Sequence, residues 1–144
     1  MSPVVPAPTA STHSSYLAFD FGTRRIGVAS GNSLTGHAEP LRTVDAGARA
    51  LDAIGKLVAE WRPDALVVGV PRHPDGAAHA NTRRAERFAA ELRRRFGLAV
   101  HEADERYSTT EARTASRGDV DAAAAAIILV QFLRERSVPK ASAR

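Results

Sequence analysis

The chain has 144 residues with a formal net charge of +4, and 44% of its residues are hydrophobic. This length allows one domain with a substantial core but not two large ones, and the composition is typical of a globular protein. No cysteine is present, which excludes disulfides, thiolate metal sites and a cysteine nucleophile, and which is compatible with a reducing cytoplasm.

The first fifteen residues are rich in Pro, Ser, Thr and Ala. They have no basic start and no continuous apolar stretch, so we do not expect a secretory signal, and no apolar run in the chain is long enough to cross a bilayer. We expect a disordered tail over 1–15, one domain over 16–136, a flexible tail over 137–144, and a cytoplasmic location with no membrane partner.

The first part of the domain predicts three antiparallel strands. Residues 16–20 are compact and apolar, as in a buried central strand. A turn that contains Gly22 leads to a second strand over 26–30, and a third strand is expected over 36–44. Pro40 is tolerable there if the strand lies at a sheet edge or carries a bulge.

Helices and strands alternate after residue 45. Helical spacing of apolar residues predicts a helix over 45–61, with Asp45 as its N-cap and Pro63 as its stop, and another over 82–96 that ends at Gly97. Strands are expected over 65–70 and 98–103. A capping box over 108–111 predicts a short helix, and a last helix is expected over 119–135. This order predicts the α/β class, with a mixed five-stranded sheet and helices on both faces, as in the ribonuclease H fold.

Three acidic residues stand close to the ends of predicted elements. Asp20 ends an apolar strand, where an acid is costly to bury unless it binds a metal or an ionic partner. Alternatively, Asp20 makes a local turn hydrogen bond ahead of Gly22. Glu105 follows the strand over 98–103, and since Asp104 would face the other way, only one of the two can face Asp20. The alternative for Glu105 is an exposed turn paired with Arg106.

Asp121 is the third acid, at the start of the last helix. Its charge can simply complement the helix dipole. However, the residues that follow are nearly all alanine, and small side chains allow a helix to lie close to a sheet. If the three carboxylates converge, they form a site that suits Mg²⁺ or Mn²⁺, because hard divalent cations take oxygen ligands.

The positive charge is almost entirely arginine, since Lys56 and Lys140 are the only lysines. Arginine is well suited to bidentate phosphate binding, although high arginine content can also reflect genome base composition. The arginines over 83–95 are typical of a solvated helix face, and the alternative is that they bind the phosphate backbone of a nucleic acid. Arg24, Arg25 and Arg106 are better candidates for binding nucleic acid because each adjoins one of the acids, and Thr109 is a further residue that would contact phosphate.

Four segments in this order resemble the signature stretches of the YqgF/RuvX family, a branch of the RuvC-like ribonuclease H superfamily. They are 20–29 (Asp-Phe-Gly-Thr-Arg-Arg-Ile-Gly-Val-Ala), 66–71 together with Asp75-Gly76, 104–109 (Asp-Glu-Arg-Tyr-Ser-Thr), and 120–121 with the alanines that follow. Each motif alone is weak, but four in order are specific.

The resemblance implies a metal-dependent nuclease for 5′-end maturation of pre-16S ribosomal RNA, in which Asp20, Glu105 and Asp121 hold Mg²⁺ or Mn²⁺. The expected partner is structured RNA or branched DNA. A Holliday junction resolvase is an alternative and would require a homodimer, since paired cuts need a two-fold axis. A second alternative is a module that binds nucleic acid without cleaving it. The Asp-Phe-Gly-Thr stretch also resembles the phosphate loop of sugar kinases and actin-like ATPases, but those enzymes need two such domains.

Overall fold

The computed structural model of the protein describes residues 14–71, 79–104 and 120–137. Within these ranges, the elements in chain order are β1 (Ser15–Phe21), β2 (Arg25–Asn32), β3 (His37–Asp45), α1 (Ala50–Trp61), β4 (Ala65–Val70), α2 (His79–Phe96), β5 (Ala99–Asp104) and α3 (Val120–Ser137). The predicted order of strands and long helices is confirmed. The predicted short helix after residue 108 lies outside the described residues, as do residues 1–13 and 138–144 of the predicted tails.

The five strands form one mixed sheet in the order β3-β2-β1-β4-β5. The β1–β2 and β2–β3 pairs are antiparallel, whereas β1–β4 and β4–β5 are parallel. Strand β3 lies at the edge, and the register shifts beside Pro40, because Val28 pairs with Arg42 and Ala29 pairs with Pro40. A proline is tolerated at such an irregular edge, as the sequence predicted.

The sheet separates two hydrophobic cores. Strand residues alternate between its faces, so Leu17 and Phe19 of β1 pack towards α1 and α2, whereas Tyr16 and Ala18 pack towards α3. Every residue of β4 is buried, as expected for a parallel strand that is covered on both sides. The predicted arrangement with helices on both faces is therefore confirmed.

The start of α1 differs from the prediction. Asp45 is not the N-cap of this helix. It is the last residue of β3, where it pairs with Arg25 of β2, and the Ala46 amide continues the strand contact with a 2.9 Å hydrogen bond to the Arg24 carbonyl. The helix begins only at Ala50, after Arg49, whose side chain makes no capping hydrogen bond. Continued strand pairing thus outweighs the local capping preference of Asp45.

The helix ends agree better with the sequence. Helix α1 ends at Trp61, where Arg62 adopts a left-handed conformation with φ 47° just before Pro63. Helix α2 ends at Phe96, and Gly97 follows with φ 65°. Helix α2 begins three residues earlier than predicted, at His79. No helix within the described ranges is long and apolar enough to cross a membrane.

Candidate active site

Asp20 lies at the carboxyl end of β1, on the face of the sheet that α3 covers. It follows Tyr16 and Ala18 at two-residue intervals, and both of these pack in the core beneath α3. Asp20 itself is partly buried. The strand alternation therefore directs its carboxylate towards the helix that carries Asp121.

Small residues flank Asp20 across the sheet on this face. Asp20 pairs with Gly27 of β2 and with Gly69 of β4, and Gly69 pairs in turn with Ala103 of β5. Directly opposite residues in an antiparallel pair have Cβ positions about 4.5–5.5 Å apart on the same face. The Asp20 carboxylate thus emerges from a row of Gly and Ala, whose small size allows α3 to approach the sheet closely.

Asp121 lies in the first turn of α3, and the backbone there sits directly against β2. A Cβ atom on Gly27 would stand 1.8 Å from the Asp121 carbonyl oxygen and 2.8 Å from the Ala122 nitrogen. Only a residue without a side chain allows this approach. Because Gly27 is the partner of Asp20 in the sheet, this contact brings the start of α3 beside Asp20.

Arg25 completes the described part of the site. Its Nε donates a hydrogen bond to Asp121 Oδ2 at 2.8 Å. The Arg25 side chain is 62% exposed and that of Asp121 is 29% exposed. Ion pairs in such contact with water contribute about 0–1 kcal/mol, so the Arg25 guanidinium can leave Asp121 at little cost.

The remaining predicted residues divide into two groups. Arg24 is exposed in the turn between β1 and β2, next to Arg25. Glu105, Arg106 and Thr109 lie outside the described residues, so the structure neither places them at the site nor excludes them from it. Among the residues that are described, no three His, Asp or Glu side chains form a group that could hold a metal ion.

Asp104 lies on the other face of the sheet from Asp20. It is the last residue of β5 and pairs with Val70, which belongs to the core under α1 and α2. Its neighbour Ala103 packs instead against the core under α3. The alternation of β5 thus places Asp104 on the opposite face of the sheet from Asp20 and Asp121. Asp104 is therefore not the acid that faces Asp20.

The arginines at the end of α2 serve the fold. Arg93 donates hydrogen bonds to the Val100 carbonyl at 2.8 Å and to Glu102 at 3.4 Å, which ties α2 to β5. Arg95 pairs with Asp52 of α1 at 2.6 Å. Both arginines thus hold α2 against neighbouring elements, although their side chains stay about half exposed.

His101 lies on the α3 face of β5, further from the strand ends than the acids. Its ring contacts Tyr16 and Phe132, with ring centroids 6.4 and 5.2 Å away. Burial, followed by the charges of Arg136 and Arg93, lowers the pKa of His101 below its ordinary value. His101 is therefore a neutral, packed histidine near neutral pH.

Gly27 was missed as a site residue by the sequence reasoning, which noted it only inside the resemblance motif. The sequence does contain a signal for it: the small residues Gly27 and Ala29 of β2 alternate with the larger Ile26 and Val28. Such a pattern indicates a strand face against which another backbone packs closely.

Comparison with known proteins identifies the family of this chain. A family model, RuvX, described as Holliday junction resolvase, matches residues 14–135. A protein of Polaromonas sp. that is named as a candidate pre-16S rRNA nuclease is 59% identical over 131 residues, which cover 90% of this chain and 94% of that protein. A relative from Albidiferax ferrireducens with the same name is 54% identical over 130 residues, covering 90% and 83% of the two chains.

The structure of Thermus thermophilus RuvC in complex with a Holliday junction substrate has a TM-score of 0.54 at 16% identity, and the match covers 86% of this chain and 96% of RuvC. This likeness confirms the predicted ribonuclease H-like fold. With the match of the family model over most of the chain and the relatives above 50% identity, the protein belongs to the RuvX family.

Proposed function

We propose that this protein is a divalent-metal-dependent nuclease that hydrolyses phosphodiester bonds during 5′-end maturation of pre-16S ribosomal RNA in the cytoplasm, with its nuclease domain over 16–136. The observation that carries the proposal is the close contact between Gly27 and the Asp121 backbone, which brings Asp121 beside Asp20. The names of the relatives support the choice of substrate.

Asp20, Asp121 and Glu105 are the residues that would hold the cation. Carboxylate oxygens are the ligands that Mg²⁺ and Mn²⁺ prefer, and the close approach of α3 to Gly27 brings two of these carboxylates to the same end of the sheet. The register of β5 supports Glu105 as the third ligand, because Ala103 lies on the face of Asp20 and Glu105 is two residues further along. A bound cation would supply positive charge that lowers the pKa of water and stabilises the reacting phosphate oxygens.

The arginines would position the substrate. Arg25 can exchange the Asp121 carboxylate for a phosphate oxygen, since both are anionic acceptors of a guanidinium N–H and since its present ion pair is exposed. Arg24 lies in the turn just before Arg25, and Arg106 and Thr109 follow Glu105 in the sequence. We propose that these four residues bind the backbone next to the cleaved bond.

Replacement of Asp20 by Asn tests the proposal. The amide keeps the shape of the carboxylate but lacks its charge, so cleavage of an rRNA precursor with Mg²⁺ or Mn²⁺ should be lost, while binding of the RNA is retained. Asp52→Asn is a matched control, because Asp52 is exposed on α1 and pairs only with Arg95 among described contacts. Equal cleavage by Asp20→Asn and Asp52→Asn would refute the catalytic role of Asp20.

The same assay separates the competing functions. A Holliday junction resolvase, which the description of the family model favours, should cut four-way DNA junctions in preference to rRNA precursor and should do so as a homodimer. A non-catalytic module should bind both nucleic acids and cleave neither. Cleavage that persists in EDTA, or ATP hydrolysis in the absence of nucleic acid, would contradict a metal-dependent nuclease.

A further inference from the structure

A cavity of about 250 Å³ opens between the end of β1 and helix α2, on the face of the sheet opposite to Asp20 and Asp121. Its lining residues are Phe21, Arg84, Arg87, Phe88 and Glu91. Phe21 directly follows Asp20 in β1 and lies on the other face of the sheet. Because Asp20 and Phe21 are consecutive at the end of β1, a substrate chain that crosses this end can reach Asp20 with one nucleotide and the cavity with the next.

The apolar wall of the cavity is made of two phenylalanines. The rings of Phe21 and Phe88 are tilted by 31° with centroids 4.8 Å apart. Phe88 is only 6% exposed, and it also meets Phe19 edge to face at 5.8 Å, so the core holds it in place. Phe21 is partly exposed. The wall is therefore a fixed aromatic surface with one ring accessible to a ligand.

Two exposed arginines border this wall. Arg84 and Arg87 are three residues apart on α2 and thus share a helix face. Arg84 donates a 3.2 Å hydrogen bond to the Asn81 side chain, whereas Arg87 makes no ion pair with the described part of the chain. Glu91 adds one carboxylate to the lining. The cavity thus combines an aromatic surface, two cations and one hydrogen-bond acceptor.

We propose that this cavity binds one unpaired nucleotide of the substrate, adjacent to the bond that is cleaved. The base packs against Phe21, its phosphate pairs with Arg84 and Arg87, and Glu91 accepts a hydrogen bond from an exocyclic amino group. This proposal rests on the proposed nuclease function and narrows its substrate class to nucleic acid with a single-stranded segment at the cleavage point.

The chemistry of the cavity favours this occupant. Aromatic side chains beside a cationic groove are the usual means of holding single strands, because every base has a face that can stack. Bases within a duplex are already stacked and would have to be extruded. The volume lies just below the range of about 300–1,000 Å³ that is typical of pockets for drug-sized ligands, which suits a single base.

Binding without cleavage provides the first test. The wild-type chain in EDTA is titrated with short single-stranded RNA and DNA that carry 2-aminopurine at one position, and with the same strands that carry an abasic residue there. The base-bearing strands should bind on the order of tenfold more tightly, with quenching of the 2-aminopurine fluorescence. Phe21→Leu should remove both the preference and the quenching. Equal binding of base-bearing and abasic strands would overturn the proposal.

A charge-matched pair of variants gives the second test. Arg87→Gln should weaken binding of the single strands on the order of tenfold, as expected for a lost charge-assisted hydrogen bond, whereas Arg94→Gln, an equal change at an exposed position of the same helix, should change it less than about twofold. Equal losses would overturn the proposed subsite. If the wild type cleaves RNA at a rate that Arg87→Gln leaves unchanged, the subsite is wrong and the nuclease stands. Base-dependent binding without any cleavage by the wild type would refute the nuclease and support the cavity.

Discussion

Replacement of Gly27 by Ala is the sharpest perturbation that the structure offers. The added methyl group would stand 1.8 Å from the Asp121 carbonyl oxygen and 2.2 Å from its carbonyl carbon. Non-bonded heavy atoms prefer separations of about 3.5–4.0 Å. Because the obstructing atoms belong to the backbone, no rotamer change relieves the clash, and the start of α3 must move away from β2 by about 2 Å.

The displacement should affect the cleavage rate much more than the stability of the fold. Overpacking of this kind costs about 1–3 kcal/mol, which for a chain of this length corresponds to a decrease in Tm of roughly 3–10 °C. The protein should therefore remain folded at 25 °C. Displacement of a catalytic group by about 1 Å can reduce the rate by about 100-fold, so the loss of cleavage should far exceed the loss of stability.

The assay combines thermal unfolding with cleavage rates measured over a range of Mn²⁺ concentrations. Gly55→Ala is the matched control, since a Cβ at Gly55 in α1 would meet Phe96 at an ordinary 3.4 Å, and Gly→Ala in a compatible helix stabilises by about 0.4–1 kcal/mol. The control should keep its cleavage rate, and its Tm should rise by roughly 1–4 °C. If Gly27→Ala cleaves RNA at the wild-type rate, the spacing between β2 and α3 does not determine the position of the catalytic groups. The reasoning about Asp121 would then be wrong.

Two further predictions concern charge. Arg25→Gln should lower the cleavage rate and reduce the magnitude of the log–log salt slope of single-strand binding by about 0.7, whereas Arg95→Gln, which removes the pair with Asp52, should leave both unchanged; an equal effect of the two variants would contradict the placement of the substrate. His101→Phe should flatten the pH dependence of stability, measured by urea unfolding between pH 7 and 5. The lowered pKa of His101 in the folded state means that the unfolded chain binds more protons. The wild type therefore loses stability as pH falls from about 6.5 through the folded-state pKa. Parallel plots of unfolding free energy against pH for the wild type and the variant would refute this contribution.

The sequence predicted the architecture well because its signals are local and strong. The continuous apolar run of β4, the stop after Trp61 and the glycine after Phe96 each have one physical explanation, and the structure agrees with all three. Asp45 was misassigned because capping chemistry and strand pairing compete for the same residue. The pairing of β3 with Arg25 is a long-range interaction that local patterns do not contain.

The candidate site was only partly predictable for a similar reason. The sequence indicated Asp20 and Asp121 by their positions at element ends. It did not indicate that contact between Gly27 and the backbone of α3 would bring them together. That information depends on the register between β1 and β2, which pairs Asp20 with Gly27. The cavity at Phe21 is likewise created by the packing of α2 against β1, and the arginine pattern of α2 alone favours a solvated helix face.

The alanine-rich start of α3 should tolerate few amino-acid substitutions. Ala122, Ala124 and Ala125 are at most 1% exposed, so every larger side chain there would force the helix off the sheet, and glycine would weaken the helix by about 1 kcal/mol. At the other end, where Phe132 meets Tyr16, one large apolar side chain can replace another at modest cost. A single helix thus combines an intolerant end and an adaptable end, and the intolerant end is the one that carries Asp121.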